Sequence, residues 1–99
     1  MYFTYILSNK WDTVLYVGST NNLAVRLTQH YTNTNSKSFS ARYNLCKLVY
    51  FETYDQAWFA VEREKQIKKW SRRRKDDLIN TINPKRFDLS GESVDIARG

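Results

Sequence analysis

The apolar positions of this chain fall into short β-favouring runs and into sets repeated at helical spacing. Tyr2 to Leu7 is rich in aromatic and β-branched residues and predicts a first strand. Ser8 to Asp12 supplies turn chemistry, and Thr13 to Val17 is a second β-favouring run that ends at Gly18. Two strands so close in sequence pair most simply as an antiparallel hairpin. Ser19-Thr20-Asn21-Asn22 offers several helix caps, after which Leu23, Leu27 and Tyr31 recur at helical spacing and predict a helix from Leu23 to Tyr31.

The polar stretch Thr32 to Ser40 reads as a loop, and Lys47 to Phe51 as a third strand. Asp55 is a candidate cap for a second helix running to Trp70. Ser71 caps a third from Arg72 to Thr81, and Pro84 stops it. The order β-β-α-β-α-α predicts a small α/β (α+β) domain over residues 1–89, a three-stranded, mainly antiparallel sheet flanked by helices. Residues 90–99 carry little that packs and are expected to form a mobile tail.

Composition narrows the picture. Ninety-nine residues suit one domain, and seven Tyr, five Phe and three Trp supply a core from few elements. A formal charge of +6 and a pI near 9.6 point to an anionic partner, nucleic acid first and an acidic membrane surface second. The single cysteine, Cys46, excludes an internal disulfide, and without a His/Cys cluster a structural zinc site is excluded too. Cys46 lies in an apolar run and is expected to be a buried, inert thiol. The apolar start Met1 to Leu7 lacks a basic leader and is too short to span a bilayer. The expectation is a cytoplasmic chain without a membrane association.

Three groups of residues can carry chemistry. On a helical wheel Ala57, Ala60, Val61 and Ile67 share one side, and Glu64 falls in its middle. A carboxylate there needs a partner, because desolvating it alone costs about several kcal/mol. The carboxylate either pairs with a neighbouring Lys or Arg or looks into solvent at the core's edge, both ordinary arrangements, or it binds a divalent cation. Magnesium suits one carboxylate plus waters and a substrate phosphate. Arg26 and His30, four apart, project from one helix flank beside Leu23 and Leu27. Such a pair is either an ordinary solvated flank or a phosphate site, since Arg grips phosphate oxygens and His moves a proton near neutrality. The third group is a pair of strand tyrosines, Tyr5 and Tyr16, which by themselves read as core or surface aromatics.

Thr4-Tyr5-Ile6 and Tyr16-Val17-Gly18, with ten residues between the two tyrosines, resemble the half-motifs of the GIY-YIG nuclease family. Arg26 stands where that family keeps its helix arginine and His30 where many members carry a histidine. Val61 to Lys68 is similar to the helix bearing the metal-binding glutamate, with Glu64 in that place. Asn83, before Pro84, matches an asparagine near the domain's end, and Gly18 completes the second half-motif. The resemblance covers residues 2–89 and is nearest to the short, stand-alone single-domain branch related to Slx1-type structure-specific nucleases. Two departures stand out. Phe3 replaces the first glycine but leaves Tyr5 in register, and Ser19 replaces a lysine that some members place after the second motif.

The resemblance implies a divalent-metal-dependent endonuclease, acting on DNA in repair, recombination or processing, with one Mg²⁺ or Mn²⁺ held by Glu64. It implies that Arg26 neutralises charge on the phosphoryl oxygens, that Tyr5 activates water and that Tyr16 supports it. A free phenol has a pKa of about 10 and needs nearby positive charge to serve as a base, which Arg26 and the metal would supply. His30 either accepts the Tyr5 proton or orients the phenol.

Substrate binding is a separate matter. Lys65, Lys68, Lys69, Arg72, Arg73, Arg74 and Lys75 place seven of the sixteen basic residues in eleven positions, around Trp70. This run is either a phosphate-tracking surface with one stacking or packing ring, or a solvated helix face. Arg42 and Lys47 are candidates to extend it. The expected partner is DNA, branched or single-stranded forms included, with RNA also open. The competing reading is a nucleic-acid-binding module on the same fold with weak or no catalysis; retention of Tyr5, Tyr16, Arg26, His30 and Glu64 together favours the enzyme.

Overall fold

The structure is a computed structural model that describes residues 1–32 and 44–91. Three strands, β1 (Tyr2–Asn9), β2 (Leu15–Thr20) and β3 (Leu45–Tyr54), form a sheet in the order β2-β1-β3, antiparallel throughout. Among the described residues three longer helices accompany it, α1 (Leu23–Thr32), α2 (Ala57–Lys68) and α3 (Arg72–Asn80). The expected α+β architecture and element order are therefore present. None of these helices is long and apolar enough to cross a membrane.

The central position of β1 explains its unbroken apolar run, because both of its faces are covered. Phe3, Tyr5 and Leu7 pack with Leu23 and Leu27 of α1 on one face, joined by Leu45 and Leu48. Ile6, Val17 and Val49 pack with Ile67 of α2 and Ile79 of α3 on the other. Strand alternation thus sorts each residue to a helix: odd positions of β1 face α1, even positions face α2. Thr4 Oγ1 donates to the Ala60 carbonyl at 2.8 Å, pinning α2 onto β1.

Several boundaries differ from the sequence reading. β2 begins at Leu15, because the buried Asn9 side chain organises the preceding turn. Its Oδ1 accepts from the backbone N–H groups of Thr13 and Val14 at 2.9 and 3.1 Å, and its Nδ2 donates to Thr13 Oγ1 at 2.7 Å. Gly18 lies inside β2 and does not end it. Asp55 is not the cap of α2; Gln56 holds that position, without a side-chain hydrogen bond. α2 stops at Lys68, and Trp70 lies beyond it, its N–H bonded to the Ile67 carbonyl. Ser71 does cap α3, its hydroxyl accepting from the Arg74 N–H at 3.2 Å. Cys46 is exposed, because alternation along β3 sends Leu45 into the core and turns Cys46 outward. Most of the loop expected from Thr32 to Ser40, and Arg42 after it, lie outside the described residues. Residues 90–91 are helical and follow Leu89, which docks on β3 through its N–H to the Leu48 carbonyl, and the rest of the expected tail lies outside the described residues.

Candidate active site

The β1–β2 register sets Tyr5 directly opposite Gly18, and the phenol crosses over that glycine. A β-carbon on Gly18 would stand 2.5 Å from the Tyr5 hydroxyl oxygen and 2.6 Å from its Cζ, with Tyr16 Cε1 at 3.1 Å. The glycine is required by a ring passing over it. It has no positive φ to accommodate.

Helix α1 brings the next two groups. Asn22 caps it, its Oδ1 accepting from the Val25 N–H at 3.2 Å, and Leu23 and Leu27 are sunk in the core. With that stripe fixed, Arg26 and His30 hang over the tyrosines. Tyr5 Oη and His30 Nε2 are hydrogen-bonded at 3.2 Å, and Arg26 Nε donates to Tyr5 Oη at 3.4 Å. The Tyr16 ring lies edge-on to His30, with centroids 5.1 Å apart, and 6.4 Å from the Tyr5 ring. These four side chains, singled out separately in the sequence, form one cluster.

Its electrostatics differ from the expectation in one respect. Burial pushes the Tyr5 phenol up to about 12, and Tyr16 and Glu64 add to the rise, so the Arg26 hydrogen bond is outweighed. Tyr5 is completely enclosed. Burial, and then the Arg26 charge, push His30 below its usual value, so the imidazole is neutral at pH 7. The Tyr5 hydrogen bond chiefly raises Arg26, which stays charged.

Glu64 approaches from the other face of the sheet, where it meets Ser19 of β2. Of the four apolar residues expected beside it, Ala60 and Ile67 reach the core, while Ala57 and Val61 are exposed. The apolar stripe is therefore narrower than the wheel implied, and Glu64 sits at its margin with 19% of its side chain exposed. Ser19 Oγ donates to Glu64 Oε1 at 2.5 Å, and Lys68 Nζ to Oε2 at 2.5 Å. Both partners anticipated for this carboxylate are compatible with that geometry. The ion pair is present, and one oxygen faces the half-exposed Lys68. Beside it runs a mainly polar groove of about 410 Å³, lined by Ser19 to Asn22, Val25, Arg26 and Gln29. Among the described residues no three His, Cys, Asp or Glu side chains converge. A lone carboxylate next to a wet groove fits a magnesium-type ion that keeps most of its ligands as water and substrate oxygen.

The basic run is not one continuous row of free cations. Arg72 is tied to Asp76 at 3.1 Å and donates to the carbonyls of Thr13, at 2.8 Å, and Asp12. Arg74 lies 4.1 Å over the Trp70 ring and Arg63 lies 5.0 Å from it, so Trp70 is a packing ring against the α2–α3 core. Lys65 pairs loosely with Glu62 at 3.6 Å, and Lys75 is half-buried. Lys69 and Arg73 are exposed. Lys47 pairs with Asp12 at 2.8 Å rather than extending a surface. Asn83 is not near the phenols. It is buried, donating to the Val49 and Phe87 carbonyls at 3.0 and 2.8 Å and so fastening the segment after α3 to β3.

Ser19 was absent from the sequence-derived set as a contributor. The signal was available in strand parity, because Ser19 shares the α2-facing side with Leu15 and Val17.

Known proteins match this arrangement. The GIY-YIG catalytic domain matches residues 1–77. A UPF0213 protein of Clostridium perfringens is 41% identical over 92 residues, covering 93% of this chain and 97% of the relative. A UPF0213 protein of Syntrophus aciditrophicus is 40% identical over 89 residues, covering 86% and 95%. The solution NMR structure of a UPF0213 protein from Bacillus halodurans superposes with a TM-score of 0.53 at 26% identity, covering 84% of this chain and 87% of that one. The chain belongs to the GIY-YIG catalytic domain family.

Proposed function

We propose that this protein is a divalent-metal-dependent endonuclease that hydrolyses phosphodiester bonds in DNA, in the setting of repair, recombination or other processing. The observation that carries the reading is the convergence of Tyr5, Tyr16, Arg26 and His30 on one face of the β1–β2 pair, with Glu64 of α2 bonded to Ser19 on the adjoining stretch of β2. A cluster with one fixed cation, one neutral imidazole and two phenols suits phosphoryl chemistry, which is chiefly a matter of positioning and charge stabilisation.

The residues divide the work as follows. Arg26, at the wall of the polar groove, forks onto the scissile phosphate and offsets the charge that grows on its non-bridging oxygens. Tyr5 is enclosed, so substrate must open the pocket before water reaches it; the phenol then takes a proton from the attacking water as it hands its own to His30 Nε2 along the 3.2 Å hydrogen bond. A phenol pushed up to about 12 does not ionise alone near neutrality, so this relay depends on a neutral His30. Tyr16, packed edge-on to the imidazole, holds its plane. Glu64 would hold Mg²⁺ or Mn²⁺, which when bound supplies Lewis-acid stabilisation of the leaving oxygen. Lys65, Lys68, Lys69, Arg73 and Lys75 contribute phosphate contacts that position the strand without reading its sequence.

The test is a panel of labelled single-stranded, nicked, branched and duplex DNA, with RNA alongside, incubated with and without Mg²⁺ or Mn²⁺. Cleavage of at least one form should require the metal and disappear in Glu64→Gln, while that variant still folds and binds DNA. Unchanged cleavage by the folded Glu64→Gln protein refutes the assignment. Binding without cleavage by the native chain leaves the binding-module reading.

A further inference from the structure

We infer that Ser19 and Lys68 divide the Glu64 carboxylate between them: Ser19 is a positioning residue that fixes its plane, and Lys68 is a resident cation that an incoming divalent ion must displace. The inference rests on the reading of Glu64 as a metal ligand.

Ser19 is well placed for the first role. It pairs across the sheet with Thr4, and Thr4 holds the Ala60 carbonyl one helical turn before Glu64. One cross-strand pair therefore grips α2 at two successive turns, by its backbone at Ala60 and by its carboxylate at Glu64. The 2.5 Å bond from Ser19 Oγ to Oε1 fixes which oxygen turns toward β2 and which faces out. A hydroxyl does this without adding charge, which a lysine at the same position would bring.

Lys68 occupies the outward oxygen. Its Nζ lies 2.5 Å from Oε2, although its own side chain is 50% exposed and Glu64 only 19%. The neighbouring pair on the same helix behaves differently. Lys65 and Glu62 are 3.6 Å apart and 63% and 59% exposed, an ordinary solvated contact. A divalent ion must approach a carboxylate oxygen to about 2.0–2.1 Å. It cannot do so beside an ammonium bonded to the same oxygen. The long, half-exposed lysine stem can swing away without disturbing the core. Each ion bound then frees one positive charge beside the carboxylate, where a phosphate can take it up. Metal and substrate binding are coupled through that exchange.

The experiment measures Mn²⁺ affinity of the full chain by electron paramagnetic resonance of the free ion, without nucleic acid. Lys68→Met should tighten binding by about fivefold, the scale of one partly exposed ion pair. Lys65→Met removes the same charge without touching Glu64 and should change affinity much less. Ser19→Ala should weaken binding by about tenfold, as loss of an orienting hydrogen bond to a ligand does, and Ser19→Thr should restore it. Equal shifts for Lys68→Met and Lys65→Met overturn the exchange, and no weakening in folded Ser19→Ala, or no recovery in Ser19→Thr, overturns the positioning role. Glu64→Gln separates the two levels of argument. If it binds Mn²⁺ as tightly as the native chain, the ligand reading itself fails and this inference falls with it. If it loses binding, only the lysine and serine results decide.

Discussion

The Tyr5 ring rests on Gly18, its hydroxyl oxygen 2.5 Å from where a β-carbon on that residue would be. The clash involves Cζ as well as the hydroxyl, and the ring is enclosed by Tyr16, His30 and Arg26. Gly18→Ala should therefore destabilise the fold by about 1–3 kcal/mol, as overpacking does, and reduce cleavage sharply by displacing the phenol. Adding Tyr5→Phe should not restore stability, because Cζ remains. Adding Tyr5→Ala should make the second substitution less costly than it is alone. Urea denaturation of the double-mutant cycle measures this coupling, and strictly additive losses would show that the ring is free to move aside.

His30 is the sole histidine, so one imidazole can be followed by proton NMR. Its folded pKa is lowered by burial and by Arg26. The unfolded chain, with a value of about 6.5, then binds more protons in the window between the two. Stability should fall as pH drops from about 6.5 toward the folded value and gain no further penalty from this group below it. Cleavage should follow the same protonation, with an acid limb displaced below the usual histidine value. A ring titrating at or above about 6.5 would contradict both the burial argument and the proton relay.

Much of the fold is legible in the sequence. The β1 run, the Leu23–Leu27 stripe and the Ser71 cap are local patterns with a fixed physical meaning, and they led to the right elements. Helical spacing alone puts Arg26 and His30 on one flank, whereas Tyr5 and Tyr16, on different strands, are singled out only by the family resemblance. What failed depended on contacts distant in sequence. Wheel geometry puts Ala57 and Val61 inward, whereas both are exposed. A basic run looks uniform in one dimension, whereas Arg72 reaches carbonyls about 60 residues away, at Asp12 and Thr13. Cys46 was read from neighbouring apolar residues, and only pleat parity turns it outward. The burial of Tyr5 reversed the expected direction of its pKa, because enclosure by four elements outweighed one guanidinium.

The basic segment now separates into different tasks. Arg72 straps the start of α3 to the β1–β2 turn, so Arg72→Ala should cost about 1 kcal/mol of stability through lost hydrogen bonds. Arg73 is exposed, and Arg73→Ala should leave stability within about 0.5 kcal/mol of the native value. It should instead lower DNA affinity and reduce the salt dependence of binding by about one phosphate contact. Denaturation and salt titration of both variants check the separation. Equal stability of the two would dissolve the distinction between strap and contact.

Away from the site, Glu52 gathers the hydroxyls of Tyr50 and Tyr54 and the Arg63 guanidinium, which donates from Nε at 3.0 Å and Nη2 at 3.2 Å. Burial alone would raise the carboxyl, but the hydrogen bonds from Arg63, Tyr50 and Tyr54 outweigh it and hold Glu52 below its usual value. A lowered carboxyl stabilises the fold above the ordinary carboxylate range, and that contribution is lost as pH falls through the folded value. Arg63→Met leaves a largely buried anion without its cation and should cost about 2–3 kcal/mol at pH 7. The loss should shrink on acidification, where Glu52 takes up a proton in the variant before it does in the native chain. Adding Glu52→Gln removes the stranded charge while keeping an oxygen for the two phenols, so the double variant should be more stable than Arg63→Met alone. Thermal unfolding at pH 7 and pH 4 distinguishes these outcomes. A double variant less stable than the single one would mean that Arg63 acts mainly by packing on Trp70.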